Sequence, residues 1–434
     1  MKEKLSCIIP ARVALLAALL SAVGWAGGAL ELPGGGELHG FLEGRAGART
    51  QNDPGEDERN LTEIRAQLDS LTYFDRFQLQ LRGDFFYDEL ADDIEKIDLE
   101  SGRGFFDLRE LNVVFSPLDW SDIKVGRQIL TWGTGDLLFI NDLFPKDWNS
   151  FLLGRDEEYL KAPSDALYAG FFPSFVNIDL VYTPRFDADR YVDGERVSFY
   201  DMNGRYVGQN NSIDAERRDD WFRDDEIAAR LYRTLYGYET ALYFYHGFWK
   251  SPAGYDIAGN TPYFPDLNVF GASVRGSAAG GIMNFETGYY DSGEDRSGSD
   301  PYIPNSELRL LSGYQRELAK NLTAGVQYYV EWMMNHDNYM DSLAPGSAAR
   351  DELRHVLTLR LTQMLMNQNL ILSVFTFFSP SDRDAYIRPG ATYKISDNWS
   401  TNLNGNFFFG ERDYTFFGRF RRNNSVNLSL RYNF

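Results

Sequence analysis

Apolar and polar residues alternate with a period of two along most of this chain, in segments of about ten residues parted by turn residues. Ile64, Ala66 and Leu68 alternate with Glu63, Arg65, Gln67 and Asp69. Val326, Tyr328 and Val330 alternate with Gly325, Gln327, Tyr329 and Glu331. Between Ser400 and Phe407 the polar row is almost pure asparagine: Asn402, Asn404 and Asn406. The last segment sets Val426, Leu428, Leu430, Tyr432 and Phe434 against Ser425, Asn427, Ser429, Arg431 and Asn433. This period is that of a strand with two unlike faces. It predicts about 18 strands, near 37–47, 61–71, 75–88, 104–116, 120–131, 165–173, 175–184, 223–235, 237–248, 266–277, 280–291, 305–317, 320–333, 351–364, 367–379, 384–395, 398–410 and 417–434.

The connections separate a soluble sandwich from a membrane barrel. Every second one is tight, as at Ser174, Tyr236, Ala278-Ala279 and Ser396-Asp397. Most of the others are long: 132–164, 185–222, 249–265, 292–304 and 334–350. Short turns on one rim and long loops on the other mark a transmembrane antiparallel β-barrel, with residues 37–434 as one barrel domain. In lipid every backbone group must bond within the protein, so the sheet has to close on itself. Aromatic pairs and triplets at strand ends, such as Phe85-Phe86-Tyr87, Tyr289-Tyr290, Phe377-Phe378 and Phe407-Phe408-Phe409, are expected to form interfacial girdles.

Composition narrows the classes. The 434 residues carry a net charge of -20, with 15% aromatics, 1 Cys and 4 His. The sign of the charge argues against a nucleic-acid partner. Past residue 30 no apolar run approaches the roughly 20 residues of a spanning helix. Lys2, Lys4 and Arg12 precede a short apolar run, Val13 to Val23, that small residues close. That order predicts a secretory signal peptide over 1–26, cut after Ala26 or Ala29. Its removal takes Cys7, so no disulfide or cysteine-bound metal is expected. His39, His246, His336 and His355 show no metal-binding spacing. No nucleophile motif accompanies His336-Asp337, so no enzyme activity, catalytic residue, metal or cofactor is assigned.

Two segments then carry a resemblance. The terminal Arg431-Tyr432-Asn433-Phe434 resembles the C-terminal signature of bacterial outer-membrane barrels, which implies an outer-membrane location and recognition of Phe434 by the barrel-assembly machinery. Val125-Gly126-Arg127-Gln128 followed by Thr131-Trp132-Gly133-Thr134-Gly135-Asp136 resembles a segment of alginate-export-type and related porins, where a strand runs into a loop that shapes the pore.

A barrel of about this size can hold an aqueous channel unless something fills it. The loop 132–164 is long, and its Leu137, Leu138, Phe139, Ile140, Leu143 and Phe144 are too apolar for a loop in water, so it is expected to fold inward. Arg127, Trp132, Asp136, Asn141, Asp142, Lys146, Asp147 and Arg155 are the expected constriction residues, since charged narrowings set selectivity. Alternation places Arg45, Arg65, Arg82, Arg230, Arg275, Arg309, Arg354, Arg360, Arg388 and Arg431 inward, with Glu43, Glu63, Asp69, Asp84, Asp179, Glu226, Glu239, Glu286, Glu307 and Glu331. These arginines either form a ladder for an anionic solute such as an organic acid, or pair with the carboxylates and stiffen the wall. The acidic loop 185–222 is either solvated or a bridge through divalent cations to lipopolysaccharide. The expected function is passive diffusion of small polar solutes through an outer-membrane porin, in contact with lipid and lipopolysaccharide. The alternative is a non-conducting barrel for adhesion, scaffolding or partner binding, and a homo-oligomer is left open.

Overall fold

The computed structural model describes residues 30–32, 36–91, 96–201 and 204–434. The expected signal peptide and Cys7 lie outside the described residues. Eighteen strands form one sheet: β1 Gly36–Arg49, β2 Arg59–Tyr73, β3 Gln78–Asp88, β4 Phe106–Leu118, β5 Ser121–Gln128, β6 Ser164–Phe171, β7 Asn177–Thr183, β8 Glu226–Leu235, β9 Tyr238–Phe248, β10 Asp266–Ala278, β11 Gly281–Ser292, β12 Glu307–Ala319, β13 Leu322–Met333, β14 Leu353–Leu365, β15 Leu370–Ser379, β16 Asp384–Lys394, β17 Trp399–Gly410 and β18 Ser425–Asn433. Each pairs antiparallel with its neighbours in sequence. The ring closes between β1 and β18, from Phe41 opposite Asn433 to Arg49 opposite Ser425. Leu30–Leu32 adds three residues of pairing at the start of β1.

Turn chemistry follows the alternation of short and long connections. Tyr236 and Gly237 between β8 and β9 have φ of 52° and 84°, and Ala279 and Gly280 between β10 and β11 have 49° and 76°. Two successive positive φ values make the tight turn whose twist matches that of the flanking strands. The opposite rim carries the long connections, of which 129–163 and 184–225 are the largest.

The outward rows are apolar and open, with Leu180, Leu231, Leu242, Phe270, Phe285, Val326, Leu357, Leu403 and Leu428 all exposed. Exposed side chains of this kind all round a closed sheet are the lipid-facing band of a membrane barrel. The aromatic runs divide between the two faces. Tyr289, Phe378 and Phe409 are exposed in that band, while their neighbours Tyr290, Phe377 and Phe408 are buried inside. Only alternate members of each run therefore face outward, because strand geometry sends adjacent side chains to opposite faces. Inside, one apolar cluster joins Ile140, Phe151, Leu153, Val197, Phe199 and Val207 of the long connections to Val181, Tyr245, Tyr290, Tyr329, Phe375 and Phe408 of the wall.

Most strand ends fall within three residues of expectation, and two departures bear on the interior. β5 stops at Gln128, because residues 129–131 already belong to the inward connection. β18 starts at Ser425 because Gly418–Phe420 form a 3-10 turn, and Phe420 with the preceding Phe417 packs inside against Phe408 and Phe377.

Candidate lumenal site

The 129–163 connection is fastened to opposite sides of the barrel. On one side, segment 133–141 meets β11, β13 and β14. Glu286 accepts from the Thr134, Gly135 and Asn141 backbone amides at 2.7, 3.2 and 2.9 Å. Gln327 accepts from the Asp136 N–H at 2.7 Å and donates to its carbonyl at 2.8 Å. The Asp136 carboxylate takes a two-pronged bond from Arg360 at 2.6 and 3.0 Å. On the other side, the short helix α1, Trp148–Leu153, ends at Gly154 in a left-handed conformation. Asp147 caps its start by accepting from Ser150 N. Its last carbonyls are left free by helix geometry and face the asparagine row of β17. Asn406 donates to Leu152 O, Asn60 to Leu153 O, and Asn404 and Arg45 to Gly154 O. Arg155 reaches Glu63 at 2.6 Å, and Arg388 donates to Arg155 O at 2.6 Å.

The 184–225 connection also enters the barrel, which sequence reasoning missed. Residues 189–191 run beside 146–149. Lys146 N donates to Asp189, Arg190 N to Lys146 O, Trp148 N to Arg190 O, and Asn149 Nδ2 to Tyr191 O. The buried Arg190 guanidinium joins Asp107 at 2.7 Å, Asp147 at 3.3 Å and the Leu99 and Glu100 carbonyls. Burial works against that charge, but Asp107, with Asp147, outweighs it and raises the pKa. Asp187, Asp189 and Asp193 of this acidic loop are buried against partners rather than solvated or open to a bridging cation. Asp187 bonds Ser164, Asp189 bonds Trp148 and Ser251, and Asp193 pairs with Arg103. Among the described residues no group of three His, Cys, Asp or Glu is placed to hold a metal.

With two connections inside, the lumen has two unlike halves. Toward the long-loop rim the inward side chains of the wall are covered: Leu61, Asp84, Gln128, Leu267, Ser292, Ser379 and Asn406 are each 1% exposed or less. Toward the tight-turn rim Glu239, Arg275 and Gln315 are exposed, and Asp69 and Arg82 keep about 30% of their side chains open. The acidic edge of the first connection faces arginines of the wall. Asp136 meets Arg360, Glu157 meets Arg360, and Asp156 meets Arg45 and Arg431. Burial would raise the Asp156 carboxyl, but Arg45 and Arg431 outweigh it and hold it below the ordinary range.

The expected constriction residues divide into three groups. Arg127 stands between the inward Gly126 and Gln128, so alternation turns it to the outer face. There it donates to Leu108 O and pairs with Asp165 at 2.9 Å. Arg127 is therefore not a constriction residue: it pairs across the ladder with the outward Leu111, and strand parity turns both away from the lumen. Asn141, Asp142, Lys146 and Asp147 are buried rather than projecting. Lys146 bonds Asp142 at 3.0 Å, and the others serve as anchors and cap. Such groups can enter an apolar interior only with partners, so they fasten the connection. Asp136 and Arg155 stand at the boundary of the open half, and Trp132 lies half-buried edge-on to Phe144 with Arg230 over its ring.

Most wall arginines are paired. Arg65 joins Glu63 and Asp84, Arg82 joins Asp69, Arg230 joins Asp179, Arg309 joins Glu307, and Arg431 joins Glu43. Arg388 lies over Phe151. Arg388 and Arg275 make no ion pair within the described residues, but Arg388 is buried and donates to Arg155 O, whereas Arg275 is exposed and borders a cavity of about 50 Å³ with Asp136, Gln327 and Arg360. Glu286, Gln327 and the acidic turn at Glu157 were not foreseen as a site; a buried carboxylate and an amide give no local signal of their distant partners.

No protein-family model and no curated sequence matches the chain. Solved structures do. Acinetobacter baumannii OccAB4 is 10% identical with a TM-score of 0.54, over 92% of this chain and 98% of that one. Pseudomonas aeruginosa OccD3 (OpdP) is 12% identical with a TM-score of 0.53, over 94% and 93%. Pseudomonas aeruginosa OccK5 (OpdH) is 10% identical with a TM-score of 0.53, over 92% and 97%. The motif at Val125–Asp136 resembles alginate-export-type porins, whereas these structural neighbours are Occ/Opd porins. The chain has the fold of the bacterial outer-membrane porins of that group, an 18-stranded closed antiparallel barrel.

Proposed function

We propose that the protein is an outer-membrane channel through which small polar solutes diffuse, narrowed by the 129–163 connection. The observation that carries this reading is the double anchoring of that connection, at Glu286, Gln327 and Arg360 on one side and at Arg45, Asn60 and Asn404 on the other. The lipid-facing band and the porin neighbours support an outer-membrane location. No chemistry on the solute is assigned. Asp136 and Glu157 would then border the narrow zone facing Arg360, with Arg155 held at Glu63 on the other side, because a charged narrowing selects by size and sign. The preference for an anionic solute rests on Arg275, since a paired guanidinium has little attraction left to offer a passing anion. Reversal potentials in salt gradients test it. Arg275→Ala should move the permeability ratio toward cations, and an unmoved ratio would sink the anionic preference.

The channel itself is tested in planar bilayers. Purified protein should conduct, and deletion of 137–153 should raise the conductance and blunt selectivity. A folded barrel that passes no current would favour the second reading, a non-conducting barrel for partner binding. The covered wall of the long-loop half is the observation on that side.

A further inference from the structure

We propose that Glu286 is the positioning residue that fixes segment 133–141 across the lumen; this rests on reading that segment as part of the narrowing. Glu286 lies on the inward row of β11 and is fully buried. Among the described residues it has no cation within ion-pair distance. Its charge is met by hydrogen-bond donors of the connection. Oε2 accepts from Thr134 N at 2.7 Å, Thr134 Oγ1 at 2.9 Å and Gly135 N at 3.2 Å. Oε1 accepts from Asn141 N at 2.9 Å and Asn141 Nδ2 at 3.0 Å. A buried carboxylate survives only where donors replace its water, and bonds to an ionised acceptor are the stronger kind.

The geometry makes the residue a latch. Three of its donors are backbone amides from both ends of one excursion, residues 134–141, so a single side chain closes the excursion and ties it to the wall. The excursion is shaped to that side chain. Gly133 has a φ of +82°, and a Cβ there would lie 2.9 Å from Glu286 Oε1. Leu137 has a φ of 57° at the tip. Neighbouring wall residues finish the seat: Asn284 donates to Thr134 O at 3.0 Å and Tyr290 to Ile140 O at 2.5 Å. The Asp136–Arg360 pair is half open to the lumen, so salt screens it, whereas the Glu286 bonds are dry.

Glu286→Gln is the sharp test, because it keeps the shape and turns one acceptor into an NH2 group. Whichever oxygen is lost, at least two donors then face a donor. The readout is amide hydrogen exchange of peptides covering 134–141 in the full-length folded barrel. Losing charge-assisted bonds should speed exchange there roughly tenfold or more, with the β11 ladder unchanged. Glu286→Asp, which keeps the charged acceptor oxygens on a shorter stem, should fall between wild type and Glu286→Gln. A glutamate that acted only by filling space would give the reverse order, with the isosteric Gln variant near wild type. Should Glu286→Gln fail to fold, Asn141→Ala keeps every wall residue while removing the Nδ2 bonds to Glu286 and Thr287 O, and should speed exchange at residue 141 several-fold. Wild-type exchange rates at 134–141 in a folded variant would overturn the proposal. Exchange needs no current, so absent conductance would defeat the channel reading and leave this one standing.

Discussion

Arg190→Gln should release the 146–149 and 189–191 segments from the wall while leaving the barrel closed. The guanidinium is buried and fully used: two bonds to Asp107, one to Asp147, and one each to the Leu99 and Glu100 carbonyls. Removing it leaves Asp107 and Asp147, both 5% exposed or less, without their main cation. Breaking a buried pair by deleting one partner costs roughly 3–5 kcal/mol. Two residual contacts place this case at the lower end. Arg109 stays 3.7 Å from Asp107, and Asp147 still caps α1 through Ser150. A cost of about 3 kcal/mol multiplies the local opening constant by roughly 100-fold. The cost is local because the strand ladder does not pass through Arg190. Trypsin cleavage after Lys146 in vesicle-reconstituted protein reads the opening, since cleavage tracks the open population when reclosing is fast. Lys146 is buried in the docked state, so its cleavage requires opening. Arg190→Lys should fall between the two, keeping the charge but losing the planar fork. Cleavage of Arg190→Gln at the wild-type rate would refute the claim that this node holds the two connections together.

Three further outcomes follow from the same geometry. Burial, with the Asp165 and Glu226 carboxylates, raises Asp187 from 3.8 to about 6, Lys250 pulling the other way. The folded loop therefore binds its proton more tightly than the unfolded one. The contribution of Asp187 to docking is whole below pH 3.8 and lost as pH rises through about 6, a change of about 3 kcal/mol. Proteolysis of 184–198 should accelerate between pH 5 and 7.5, and a pH dependence that persists in Asp187→Asn would contradict this assignment. Gly154→Ala should loosen the end of α1 by about 1–3 kcal/mol, because φ is +90° and the new Cβ would lie 2.4 Å from Asn427 Nδ2; unchanged trypsin cleavage after Arg155 would speak against it. Leu242, exposed on the outer face of β9, should cost about 2–4 kcal/mol when replaced by Arg if that face meets lipid near the bilayer middle. An unshifted denaturant midpoint for refolding into vesicles would place Leu242 outside the hydrocarbon.

The barrel was legible because each strand meets two solvents, lipid outside and polar groups inside, and a period of two records that division directly. In β18, Val426, Leu428 and Leu430 are exposed to the outside while Ser425, Asn427 and Ser429 are buried inside. The same signal reads a face without reading what covers it. Ser425 and Asn427 suggested a wet wall, yet both lie beneath the first connection and its neighbours. Parity also outranks motif, as Arg127 shows: Lys124, Gly126 and Gln128 fix its direction whatever the neighbouring glycine and tryptophan resemble. The interior site was less legible for a different reason. A charged residue in a sequence reads as exposed unless its partner can be seen. Here Arg190 finds Asp107 83 residues away, Arg360 finds Asp136 224 away, and Glu286 finds its amides about 150 away. Only ring closure and two inward connections bring those positions together. The acids of 184–225 therefore had the composition of a solvated loop, while Asp187, Asp189 and Asp193 had partners on other elements waiting to be folded against them. The asparagine row of β17 shows the limit most plainly. Its alternation marks a polar face, yet the Asn404 and Asn406 amides go to the last carbonyls at the end of a six-residue helix some 250 positions earlier in the chain.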